Sequence, residues 1–170
     1  MKKAILLVLI IATAICFCSC ASDSKPAGYV DLDKLPAGYL TENAIEDGCV
    51  VFVGNKLIAG KEVWDAFIAD VGKNAACIVR VATKQNEKDS FRFIDLSYAD
   101  SAFSVKTNDG IDKSYKFLNH YAPADGDDPA IERYALTNEE NITYAEIERR
   151  LASSLANDSI DVFFVYLDIK

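Results

Sequence analysis

An apolar run extends from Ala4 to Cys18 with Thr13 as its one polar interruption, and Lys2 and Lys3 precede it. Wound as a helix, this run reaches about 22 Å, short of the ~30 Å hydrocarbon core of a bilayer. A positive start followed by a short apolar stretch is the pattern of an export signal rather than of a stable span. These residues are therefore expected to stay out of the folded body, and the body is expected to work outside the cytoplasm.

The run passes into Phe17-Cys18-Ser19-Cys20. A small residue before a cysteine suits lipoprotein processing, in which the cysteine thiol is alkylated with diacylglycerol and the chain is cut before it. The tetrapeptide resembles the bacterial lipobox, with Phe17 where Leu is usual. Residues 1–19 are read as a lipoprotein signal peptide and Cys20 as the lipid attachment site. Ordinary secretion, with Ser19-Cys20-Ala21 as a small-x-small cleavage site, and an uncleaved signal anchor are the alternatives. Two long acyl chains, at about 0.8 kcal/mol per buried CH₂, hold a protein stably at a membrane where one does not.

Residues 20–40 read as the lipidated cysteine and a flexible tether. Ser22, Asp23, Ser24, Lys25 and Pro26 favour turns and coil. Pro26-Ala27-Gly28-Tyr29 recurs as Pro36-Ala37-Gly38-Tyr39, which is read as spacer punctuation, with a recognition element as the alternative. Residues 41–170 are expected to form one domain of about 130 residues, enough to bury roughly two thirds of the unfolded surface without a staple. The net charge of −8 argues against nucleic acid, which requires clustered Lys and Arg. It also sets the body against anionic headgroups, so a spacer makes physical sense.

Within the body, Thr41 is expected to cap a short helix ending near Asp47, with Gly48 suited to follow it. Cys49–Val53 and Lys56–Ile58 flank Gly54-Asn55 and read as a tight hairpin. Val63, Phe67 and Val71 fall four apart, with Trp64 and Ile68 beside them, so a helix is expected over residues 61–71. Residues 77–83, 91–98, 102–106, 113–121 and 130–136 read as strands rich in β-branched and aromatic residues. Thr143 and Glu146 make a capping box and Ile142 and Ile147 a staple for a last helix, with Tyr144, Ile147, Leu151 and Leu155 as its apolar stripe. A final strand over 160–168 is apolar on both faces and is expected inside a sheet. The sum is an α+β class: a single domain with an antiparallel sheet of about six to eight strands and two main helices packed on one side.

Candidates for chemistry are few. His120 is the sole histidine and has no nucleophile pattern beside it. Asp125-Gly126-Asp127-Asp128 offers hard oxygen ligands for calcium, but its spacing departs from the twelve-residue calcium loop, and a solvated turn is the simpler reading. Asp95 lies within reach of pairing with Arg80 or Arg92, which needs no functional explanation. Cys49 and Cys77 either form a disulfide or sit as small core residues. Trp64 reads as core before ligand platform. Tyr98, Tyr115, Tyr121 and Tyr134 are either sheet packing or a binding surface. Asn141-Ile142-Thr143 and Asn157-Asp158-Ser159 match glycosylation acceptors, which an export signal of bacterial type makes irrelevant. No catalytic residue, metal ligand or cofactor is assigned.

The body resembles a group of small uncharacterised lipoproteins of Gram-positive bacteria that carry a domain of unknown function. The resemblance rests on Asp47-Gly48-Cys49-Val50-Val51, on Gly60, Trp64 and Phe67, on Asp95-Leu96-Ser97-Tyr98, on Tyr115-Lys116-Phe117-Leu118 and on Leu136-Thr137, and covers residues 41–169. It implies a location at the cell envelope and brings no catalytic residues. The expected function is a non-catalytic binding or interaction module held to the membrane by its lipid, with an unknown protein or small molecule as ligand. An extracytoplasmic hydrolase using Asp or Glu carboxylates and a structural or stress-related envelope protein are the alternatives.

Overall fold

In a computed structural model, residues 29–36, 38–123, 130–155 and 158–169 are described, the side chains of 167–169 excepted. The signal segment, Cys20, Asn157 and the acidic loop Asp125–Asp128 lie outside these residues. The described chain is α+β, with strands that pair mostly antiparallel.

The order begins with a 3-10 turn at Leu32–Lys34 and helix α1 at Thr41–Glu46. Strands β1 (Val50–Val53) and β2 (Lys56–Ala59), helix α2 (Lys61–Gly72) and strands β3 (Cys77–Lys84), β4 (Arg92–Ala99), β5 (Ala102–Thr107) and β6 (Asp112–Tyr115) follow. Then come β7 (Phe117–Tyr121), β8 (Ile131–Thr137), α3 (Tyr144–Ala152) and β9 (Val162–Ile169).

The strands divide between two sheets instead of forming one. The larger runs β2-β1-β3-β4-β5-β6 and the smaller β7-β8-β9. The division falls inside the segment expected as one strand, 113–121: Lys116 leaves the large sheet and donates its amide to the Thr137 carbonyl. Among the described strands, only β1 and β3 pair in parallel, because α2 carries the chain across between them.

Alternation within each strand fixes what the sheets bury. On the inner face of the large sheet, Val50, Val79, Val81, Ile94, Leu96 and Val105 meet Trp64 and Phe67 of α2 and Leu136, Phe163 and Tyr166 of the small sheet. Trp64 is 1% exposed and stacks on Tyr166 with centroids 4.7 Å apart. The two main helices therefore serve different surfaces: α2 shares the central core, whereas α3 covers the far face of the small sheet. There Tyr144 meets Tyr121 and Phe164, and Ile147 is fully buried. Leu151 and Leu155, expected on the buried stripe, are exposed; Leu155 lies beyond the end of α3 at Ala152.

Local signals hold where the chain obeys them. The Thr143 hydroxyl caps α3 by accepting from the Glu146 amide at 3.2 Å. The reciprocal bond of a capping box gives way to an ion pair of Glu146 with Arg149. The cap of α1 lies one residue earlier than expected, with Leu40 at the N-cap and Asn43 accepting from the Leu40 amide. Gly60 has φ 84°, and a Cβ there would meet the Cys49 carbonyl oxygen at 2.4 Å, so only glycine lets β1 and the start of α2 approach this closely.

Candidate functional site

The outer face of the large sheet has two halves with different cover. Over β1, β3 and the start of β4, Cys49, Val51, Ala82, Phe91 and Phe93 form a second core with Ala44 of α1. Tyr29, Leu32, Leu35 and Tyr39 pack onto it. The described part of the segment expected as tether is thus a strap on the sheet, and the folded body reaches back at least to Tyr29. The repeated Pro-Ala-Gly-Tyr is not mere punctuation where it is described. The Tyr29 hydroxyl donates to the Gly48 carbonyl at 2.9 Å, and the Tyr39 hydroxyl donates to the Asp47 carboxylate. Two tyrosines ten residues apart therefore grip adjacent residues of the α1–β1 turn.

Beneath the strap lies a buried ion pair. Arg80 and Asp95 face each other across β3 and β4. The Arg80 Nε donates to Oδ1 at 2.6 Å and a terminal nitrogen donates to Oδ2 at 2.8 Å, a bidentate fork. The other terminal nitrogen donates to the Val30 carbonyl at 2.8 Å, and the guanidinium sits 4.7 Å from the Tyr29 ring centroid. Burial disfavours the charge on Arg80, but the hydrogen bond to Asp95 and the attraction of its charge, with Cys49 and Tyr29 adding to them, together outweigh burial and raise the arginine's pKa. Arg92, the other expected partner, pairs with Asp109 at 2.8 Å, because it sits on the same strand as Asp95 rather than across from it.

Beyond the strap the outer face is open and polar. Cross-strand register places Ser97, Ser104 and Ser114 in one row and Asp95, Lys106 and Asp112 in the next. Small hydroxyls and alternating charges leave a groove of about 910 Å³, walled by Asp31, Leu32 and Asp33 of the strap and floored by Ile78, Ser97 and Ser104. Asp95, Asp100, Lys106 and Asp112 also line it. A smaller cavity of about 260 Å³ lies between Tyr29 of the strap, the α1–β1 turn at Asp47 and Gly48, and α2 at Val63, Phe67 and Asp70. Cys77 and Ile78 line both.

The remaining sequence candidates scatter. Cys49 and Cys77 are free thiols on opposite faces of the large sheet, Cys49 in the outer core and Cys77 against the inner one, so no disulfide joins them. Burial pushes the Cys49 thiol up to about 12 and the Cys77 thiol up to about 11, which leaves both poor nucleophiles near neutral pH. His120 lies on β7, stacks on Tyr134 at 4.4 Å and meets Glu132 at 3.0 Å. The Trp64 Nε1 makes no hydrogen bond of good geometry, yet the indole lies near enough to the Tyr134 hydroxyl to offset part of the upward push of burial on its pKa. The four tyrosines do not form one surface. Tyr98 lines the groove, Tyr115 is buried with its hydroxyl on Asp161, Tyr121 packs under α3 and Tyr134 belongs to the aromatic core. Asn141 holds the left-handed turn before α3, with φ 57°. Among the described residues, no group of three or more His, Cys, Asp or Glu is placed to hold a metal ion, and no helix is long and apolar enough to cross a membrane.

Sequence reading missed the groove because its lining comes from four strands and the strap, with no local pattern. The one available signal was the duplicated tyrosine motif. Comparison with protein families, with curated proteins and with solved structures finds no match to this chain.

Proposed function

We propose that this protein is a membrane-anchored binding module that works outside the cytoplasm, lipidated at Cys20, and takes its ligand in the groove on the outer face of the large sheet. The groove carries this reading. A concave surface of about 910 Å³ is in the range of small-molecule and peptide sites, and strand register fixes Asp95, Ser97, Ser104, Lys106 and Asp112 among its polar groups. Asp95, a buried carboxylate in the lining, has both oxygens engaged by Arg80. It therefore serves as scaffold, which favours binding over carboxylate catalysis. The short apolar run that leads into Ser19-Cys20 supports the anchor.

Two experiments test the halves of this reading separately. Metabolic labelling with an alkyne fatty acid should mark the wild type and leave a Cys20→Ala variant unmarked. An equal absence of label in both would remove the lipid anchor. For the groove, NMR titration of the mature chain carrying Cys20→Ser with small polar ligands and short peptides should move the amides of Ser97, Ser104 and Lys106. Ser104→Trp should abolish these shifts at unchanged melting temperature. Ligand shifts that cluster on other elements would place the site elsewhere.

A further inference from the structure

The groove and the small cavity share Cys77 and Ile78, and the strap contributes to both: Tyr29 walls the cavity, whereas Asp31, Leu32 and Asp33 wall the groove. The strap residues 29–33 thus reach both. What holds them there is what would hold a bound peptide. Arg80 donates to a backbone carbonyl, that of Val30, and covers an aromatic ring, that of Tyr29. The Tyr29 hydroxyl accepts weakly from the Arg80 amide at 3.4 Å and donates to the Gly48 carbonyl. Leu32 and Leu35 add apolar contact with the outer core.

We infer that the bed beneath the strap is a binding site for an extended polypeptide segment, and that residues 29–33 occupy it as an internal stand-in for that segment. The inference rests on the groove being the ligand site, and it adds the ligand class and the way in. A partner presents an aromatic side chain for the place of Tyr29 and a free carbonyl for Arg80, and continues into the groove past Ile78. The strap is joined to the bed within one chain, so its effective concentration is high and a free peptide competes poorly until the strap is loosened. Arg80 keeps its fork to Asp95 throughout, because a different nitrogen carries the contact to the strap.

The probe is a synthetic fluorescein-labelled peptide with the sequence of residues 28–40. It is titrated by anisotropy against the mature chain with Cys20→Ser and against the same chain with Tyr29→Phe and Tyr39→Phe. Both replacements keep the rings in the core and remove the hydroxyl bonds. Hydrogen exchange at the strap amides and at Arg80 is read in parallel. The expected result is faster strap exchange and about tenfold tighter peptide binding in the double variant, with binding lost when Ile78→Trp is added. Equal binding to both proteins would put the peptide elsewhere and overturn the inference. So would a strap that exchanges only with global unfolding in both proteins, or a freed strap with no gain in binding. Dimerisation of the double variant would assign the bed to a second copy's strap and overturn a foreign occupant. The groove reading stands or falls separately, because the small-ligand shifts at Ser97, Ser104 and Lys106 are measured with the strap closed.

Discussion

Replacing Asp95 with leucine removes both acceptors of the Arg80 fork and leaves a guanidinium whose side chain is 2% exposed. An uncompensated buried charge of this kind costs about 3–5 kcal/mol. The Val30 carbonyl still accepts one hydrogen bond, which argues for the lower half of that range. For a body of about 140 residues, near 3–4 °C is lost per kcal/mol, so the melting temperature should fall by roughly 10–15 °C. The pair Arg80→Met and Asp95→Leu removes both charges at similar volume and should recover most of the loss, remaining about 1–2 kcal/mol below wild type because the Val30 carbonyl loses its donor. Urea melts of the wild type, both single variants and the double variant close a thermodynamic cycle that isolates the coupling. A single-variant loss under 1 kcal/mol, or a double variant no better than Asp95→Leu, would refute the claim that the strap is seated on a desolvated ion pair.

Three further outcomes follow from the same geometry. Burial holds Tyr29 and Cys49 up to about 12, against ordinary values of 10.0 and 9.0. The unfolded chain therefore loses these protons first, and stability present below about pH 9 should decline steadily from there to pH 12; a flat stability profile over that window by urea titration would contradict the burial of these groups. Gly60→Ala places a Cβ 2.4 Å from the Cys49 carbonyl oxygen at φ 84°, and should cost more than about 2 kcal/mol in a chemical melt, where an ordinary surface glycine would tolerate alanine. Thr143→Ala removes the cap of α3 and should cost about 1 kcal/mol, with faster hydrogen exchange confined to the first turn of that helix; exchange unchanged at Glu146 would mean that the hydroxyl is not the operative cap.

The separation between what the residues foretell and what they conceal follows the range of the interactions. Hydrophobic period, turn residues and caps act within a few positions, so the hairpin around Gly54-Asn55, helix α2, strands β3 to β5 and the Thr143 cap were legible from the chain alone, as were the α+β class and the dominance of antiparallel pairing. The break at Lys116 carries no local mark, since a corner between sheets depends on which carbonyl the amide finds across the fold, here that of Thr137. The same holds for the strap. A composition of Pro, Gly and Asp reads as coil in isolation, and only the apolar bed of Val51, Ala82 and Phe93 and the buried Arg80 turn it into a docked element. The groove is the most remote of all from the linear order. Ser97, Ser104, Lys106 and Asp112 line it together because three strands lie in one register, and register is a property of the assembled sheet.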